Sequence, residues 1–195
     1  MVRPGRDRVA GRIEVDQTYL GAPQPGTRGR GTRRKTLIGV AAQENGQGIG
    51  RIRLRRLRDA SAASLHALVQ QAIEPGSLVH RDGWEGYSGI EAKGYRHEVT
   101  LVSGAQESPW HLLPRVHRVV SLLKRWLMGT PQGAVSHAHL DYYLDEFTFR
   151  FNRRSSQHRG KLFYRLVPQA VAVQPTPYRA MIRNVRGRKR NSPHL

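Results

Sequence analysis

From Arg12 to Leu20 apolar and polar residues alternate, with Ile13 and Val15 on one side and Glu14, Asp16 and Thr18 on the other. That period predicts a half-buried strand with Asp16 projecting from its middle. Leu37 to Ala42 and Gly50 to Leu57 read as two further strands joined by the turn-forming run Glu44-Asn45-Gly46-Gln47-Gly48, which predicts a hairpin. Arg51, Arg53 and Arg55 share one face of the second of these and would form a basic strip. Over Asp59 to Ile73 the apolar positions Ala62, Leu65, Leu68, Val69 and Ala72 fall at helical spacing, and Pro75-Gly76 closes the run. Leu78 and Val79 then begin a short strand that Gly83 and Gly86 break. A helix between the third and fourth strands makes a crossover, so at least one strand pair should be parallel.

Further along, His97 to Val102 is β-like and Ser103 to Leu113 reads as a loop. Val116, Val119, Val120, Leu123, Trp126 and Leu127 form a helical stripe over Val116 to Leu127, with Pro114 at its first turn. A second helix, about His137 to Asn152, buries Leu140, Tyr143, Leu144, Phe147 and Phe151. Lys161 to Val173 is the last helical candidate, with Pro168 expected to interrupt it. There is no internal repeat.

Composition narrows the function classes. The 195 residues include 38% hydrophobic positions, enough for one core, and 33 Lys plus Arg against 14 Asp plus Glu, a formal charge of +19. Such an excess repels itself unless an anion shares it, and nucleic acid is the commonest large polyanion. No stretch approaches the roughly 20 apolar residues that span a bilayer, and no helix has a clean Lys/Arg face for lying on one. A membrane partner is therefore not expected. Cysteine is absent, which removes disulfides and thiolate zinc sites and fits a cytoplasmic protein. Met1 to Arg12 is polar and basic, unlike a signal peptide. Gly21 to Lys35 carries Arg28, Arg30, Arg33, Arg34 and Lys35 among glycines and prolines. It reads either as a phosphate-contacting arm or as a solvated connector. From Pro175 the chain is polar and basic, and disorder is expected there. The expected division is a basic lead over 1–11, a catalytic core over 12–166 and a basic, poorly ordered tail over 167–195.

Three residues on separate elements are candidates for one site. Asp82 falls at the carboxyl end of its strand, where ligands collect in α/β sheets, although an Asp there can also simply cap its own turn. Asp16, Asp82 and His117 would converge at one end of the sheet as a divalent-metal site. Carboxylates suit Mg²⁺, an imidazole tolerates Mn²⁺ equally well, and two such ions roughly 4 Å apart serve phosphodiester chemistry. His117 is alternatively a proton shuttle or a helix-surface residue. Lys124, seven residues on, leaves the helix on the same side and would hold a phosphate as a point charge; a solvated lysine is the other reading. Arg125 beside it, and Arg153 and Arg154 at the end of the following helix, are further phosphate candidates. Trp84 and Tyr87 would stack on a base or pack in the core. His80 and His111 show no zinc-ligand spacing.

Four motifs in order resemble the bacterial insertion-sequence transposases of the ISXO2-like kind: Glu14-Val15-Asp16-Gln17-Thr18-Tyr19-Leu20-Gly21, Arg81-Asp82-Gly83-Trp84-Glu85-Gly86-Tyr87, Leu113 to Leu127 and Tyr143 to Arg154. The likeness covers roughly Arg12 to Leu166. It implies an α/β, RNase H-like fold, a mixed sheet flanked by helices, whose acidic triad binds two Mg²⁺ or Mn²⁺ ions to cut element ends and join them to target DNA. By position Asp16 and Asp82 match the first two catalytic acids, His117 stands where Glu or Asn is usual, and Lys124 matches the lysine that follows. On this likeness the chain, without cysteine, is expected to be a catalytic core lacking the family's upstream zinc-binding recognition region. The implied protein is a homo-oligomer on DNA in the bacterial nucleoid. Two other readings stay open: a catalytically inactive DNA-binding remnant, and, on composition alone, a structural RNA-binding protein.

Overall fold

The computed structural model describes residues 7–21, 35–100, 112–129, 139–158, 160–175 and 177–178. Strand β1 runs Arg12–Leu20, β2 Thr36–Asn45, β3 Gly48–Leu57, β4 Leu78–Asp82 and β5 Arg96–Thr100. The helices are α1 (Ala62–Ala72), α2 (Pro114–Gly129), α3 (Leu140–Phe151) and α4 (Gly160–Val171). One-turn 3-10 segments at Glu85–Tyr87 and Glu91–Lys93 separate β4 from β5. The first strand matches its expected bounds; the hairpin strands extend beyond theirs, because the turn contracts to Gly46 and Gln47, with Gly46 at φ +56°.

The sheet order is β3-β2-β1-β4-β5. β1, β2 and β3 pair antiparallel, whereas β4 is parallel to β1 and β5 is parallel to β4. The expected parallel pair is thus present, reached through the α1 crossover. Helix α1 covers one face, where Ile13, Val15, Leu37, Ala41, Leu57 and Val79 meet Leu65, Leu68 and Val69. Helices α2 and α3 cover the other, where Leu20, Ile38, Val40, Ile52 and Leu54 meet Val116, Val120, Leu123, Leu144 and Phe147. The expectation of a half-buried β1 is corrected for its first half, where cover on both faces buries Ile13, Glu14 and Val15 alike and leaves Glu14 at 0% exposure, while Asp16 to Tyr19 stay half-buried.

Each helix is positioned by a specific contact. Ser61 caps α1, and Asp59 accepts the Ser61 N–H and both the Ser61 and Ser64 hydroxyls. Asn152, at the end of α3, accepts from the Ile52 N–H at 2.7 Å and donates to its carbonyl at 3.1 Å, closing part of the open edge of β3. Val9 is buried and bridges to Ile73, so the lead is tied to α1. Pro168 lies inside α4 without ending it. No residue of that helix is buried, so water can take the carbonyl left without a donor. Residue 166 falls within this helix.

Arg53 is also corrected. Rather than forming an exposed strip with Arg51 and Arg55, it is buried, and its guanidinium donates to the carbonyls of Ile52 and Asp7. The arm at 22–34, most of the Ser103 to Leu113 loop including His111, the start of the His137 helix and the tail beyond 178 lie outside the described residues. Among the described residues no helix is long and apolar enough to cross a membrane.

Candidate active site

β1 and β4 run parallel in the register Glu14↔His80 and Val15↔Arg81. The pairing ends there, one residue before Asp16 and before Asp82 at the carboxyl end of β4, and the charges of both acids act on the same buried Tyr87 phenol. One oxygen of each carboxylate is braced by a nearby backbone N–H: Gln17 donates to Asp16 at 2.7 Å, and Trp84 donates to Asp82 at 3.2 Å. The turn-capping role considered for Asp82 is therefore performed by one of its two oxygens. Both acids are half-buried. Arg81, buried beneath the loop, donates to the carbonyls of Asp82 and Trp84 at 2.9 and 3.0 Å and so fixes the chain as it leaves the strand.

Tyr87 lies under this pair. It has 0% exposure and donates to Gln17 Oε1 at 2.9 Å. Burial holds its phenol well above the ordinary range, and the negative charges of Asp16 and Asp82 push the same way. A base cannot stack on a ring in the core, so Tyr87 is removed from the stacking candidates. Trp84 is half-buried, with its indole N–H directed at the Ala60 carbonyl.

The start of α2 is attached to β1 by a contact the sequence did not single out. Pro114 occupies its first turn as expected, and the first intrahelical bond runs from the His117 N–H to the Leu113 carbonyl. Leu113 has no side-chain acceptor with which to cap the helix. Glu14 supplies one: its carboxylate accepts the N–H groups of Arg115 and Val116 at 2.7 and 2.9 Å, and the Arg115 guanidinium at 2.9 Å. Glu14 shares a face of β1 with Asp16 and holds the residues just before His117. His117 is half-buried and Lys124, two turns on, is exposed.

Among the described residues, one set of potential ligand atoms falls within 4.8 Å of one another: Glu14, Glu44 and His80. Asp16, Asp82 and His117 are not drawn that close. The compact set is tied up by cations. Arg12 donates to Glu44 at 2.8 Å and to both Glu98 oxygens at 2.6 and 2.8 Å, and Arg115 lies 3.5 Å from Glu44. Between Arg12 and Thr100, burial and then the Arg12 charge hold the His80 imidazole below its usual range. This is an ion-pair knot joining β1, β2, β4, β5 and α2. The sequence signal for it was only that Glu14 stands two residues from Asp16 on the same strand face.

Of the expected DNA-contacting residues, Arg28, Arg30, Arg33 and Arg34 lie outside the described residues, Lys35 is half-buried before β2, and Arg125 is exposed. Arg153 lies over the Phe149 ring at 3.9 Å. Arg154 lies over Phe151 at 4.0 Å and donates to the carbonyls of Ile49, Gly50 and Phe151, fastening the end of α3 to the hairpin.

The sequence profile of the ISXO2-like transposase domain matches residues 8–152, from just before the buried Val9 to the Asn152 clamp. The chain belongs to the ISXO2-like transposase family. Its sheet, a three-stranded antiparallel meander continued by two parallel strands with helices on both faces, gives this ISXO2-like domain an RNase H-like fold. No curated protein sequence matches it. Among solved structures it is similar to a chain of the simian T-cell lymphotropic virus intasome in complex with PP2A regulatory subunit B56 gamma, at 14% identity and a TM-score of 0.45, over 77% of this chain and 50% of that one. It is also similar to the Mos1 transposase paired-end complex with left transposon end, at 14% identity and a TM-score of 0.37, over 79% of this chain and 55% of that one. A Mos1 mariner paired-end complex with Mn matches at 12% identity and a TM-score of 0.29, over 73% and 53%. The ISXO2-like chain thus spans about half the length of the structures it matches.

Proposed function

We propose that this domain is a divalent-metal-dependent DNA strand transferase of a bacterial insertion sequence, with Asp16, Asp82 and His117 as ligands for Mg²⁺ or Mn²⁺, two ions in all, and Lys124 as a phosphate contact. What supports the reading most strongly is the parallel pairing of β1 with β4, whose register runs to Val15 and Arg81, the residues just before the two acids. The donor chemistry fits: two carboxylates offer hard oxygens, and each is steadied by a backbone N–H that orients it without neutralising it. The bound ions would neutralise charge on the attacking and leaving oxygens of a phosphodiester. The protein's part is positional. Tyr87 stays a neutral phenol and anchors Gln17 beneath Asp16, Arg81 holds the loop after Asp82, and Glu14 fixes the helix that carries His117 and Lys124.

The partner in this reading is DNA, gripped through phosphates by Arg28, Arg30, Arg33, Arg34, Lys35 and Arg125, with Arg153 and Arg154 beside the hairpin, by a homo-oligomer in the bacterial cytoplasm. A second reading, a DNA-binding remnant without cleavage, is favoured by one observation: the ligand atoms of Asp16, Asp82 and His117 are not gathered within 4.8 Å. Mn²⁺-dependent nicking of supercoiled plasmid separates the two, with Asp82→Asn prepared in parallel. Nicking by the wild type and not by the variant is the expected outcome. Equal results from both proteins would sink the metal site and leave the remnant.

A further inference from the structure

Strand β3, the end of α3 and helix α4 enclose a cleft of about 970 Å³ whose lining includes none of Asp16, Asp82, His117 or Lys124. Five cations converge on it: Arg51 and Arg53 from β3, Arg153 from the end of α3, and Lys161 and Arg165 from α4. Two acids also line it, Asp7 and Asp145, and Asp7 lies 3.8 Å from Arg51. The balance is three net positive charges, counted as five minus two. Like charges brought face to face cost free energy unless an anion shares them. Helix α4 is half-buried along Leu162, Leu166 and Gln169, and its two cations, Lys161 and Arg165, stay exposed beside that stripe.

A second observation points to a ligand. Thr148 is 3% exposed and lines the cleft, and its hydroxyl has no hydrogen-bond partner among the described residues. A buried hydroxyl in that state is a donor lacking an acceptor. Tyr164, on the α4 wall, is 73% exposed and presents a ring on which a flat group can stack.

We infer that this cleft is a channel for an unpaired nucleic-acid strand, its phosphates met by Arg51, Arg153, Lys161, Arg165 and Thr148 and one base by Tyr164, while the buried Arg53 stays on its backbone carbonyls. The inference rests on the DNA-processing reading above and extends it to a second surface. The exposed Tyr164 ring favours an unpaired strand, because a base must leave its own duplex stack before it can lie on an aromatic side chain. An acidic peptide would also satisfy the charge, but would leave Tyr164 without a planar partner.

The test is the salt dependence of binding to a short fluorescent single strand and to the matched duplex. Lys161→Ala combined with Arg165→Ala removes two exposed cations, with folding checked by the melting curve. It should lower the single-strand slope of log K against log salt by about 1.4, at roughly 0.7 per phosphate contact, and leave the duplex slope nearly unchanged. Arg55→Ala combined with Arg58→Ala removes the same charge from a different cleft and should leave the single-strand slope in place. Thr148→Val should weaken single-strand binding several-fold while raising the melting temperature of the free protein, because an unpaired buried hydroxyl is lost. Equal slope losses from both double variants, or stronger binding to an acidic peptide than to the strand, would overturn the channel. Metal-dependent nicking that survives such an overturn would sink the channel alone. A lowered slope in the α4 variant alone, without any nicking, would leave the channel and sink the metal site.

Discussion

At Glu14 a carboxylate without solvent contact is held by two helix N–H groups and by Arg115. Removing it leaves the Arg115 and Val116 N–H groups without that acceptor and opens the start of α2, while the Arg115 guanidinium keeps the carbonyls of Gly46 and Gly48 and its approach to Glu44. Glu14→Ala should therefore cost about 1–3 kcal/mol in urea unfolding, as leaving buried donors without an acceptor does, with a smaller loss in Glu14→Gln, which keeps an acceptor. A result near zero would mean that the helix end is capped by water instead. Asp59 offers a residue-scale test by pH. The hydroxyls of Ser61 and Ser64 hold its carboxyl well below the usual carboxylate range. A depressed folded value means that the unfolded chain binds the proton more readily, so the stabilisation is full above about pH 4 and declines as pH falls toward the folded value. The stability difference between wild type and Asp59→Asn should be constant above roughly pH 5 and shrink below pH 4. A difference that stays flat down to pH 2 would remove Asp59 from the cap.

Between elements, α1 approaches β2 closely at Gly39. A Cβ at Gly39 would run into the Leu68 side chain and come within 3.1 Å of Leu57, so glycine is what allows the helix to lie this near the sheet. Gly39→Val should destabilise by about 1–3 kcal/mol, since a close-packed core absorbs added methyl groups only by shifting the helix. If calorimetry finds no loss, α1 is free to move off β2. The opposite face depends on polar clamps as well as apolar area: Asn152 on Ile52, and an ion pair of 3.5 Å between Arg56 and Asp141, tie α3 to the edge strand.

For the whole molecule the dominant quantity is charge. At +19 the folded chain repels itself, and any polyanion that binds it relieves that strain. A DNA oligonucleotide in excess should raise the melting temperature at about 50 mM salt, and the gain should vanish near 1 M, where the screening length falls to about 3 Å. A salt-independent gain would point to base contacts in place of phosphates.

The sequence by itself determined the elements whose signals are local. Alternation over Arg12 to Leu20, the Gly-rich hairpin turn, the helical stripes behind Ser61 and Pro114, and the acid at the end of β4 were all legible, because period and turn chemistry act within a few residues. Only the tertiary structure decided what covers each face. β1 and β4 meet across a long crossover, and that meeting makes β1 central, which is why Glu14 is sealed and spent on α2 and why Tyr87 lies in the core. Arg53 was misread for a related reason: as the strand edge was closed by Asp7 and α3, its guanidinium was enclosed among carbonyls that come from distant parts of the chain. Burial on a second face is a property of whichever segments pack there, and no local period records it.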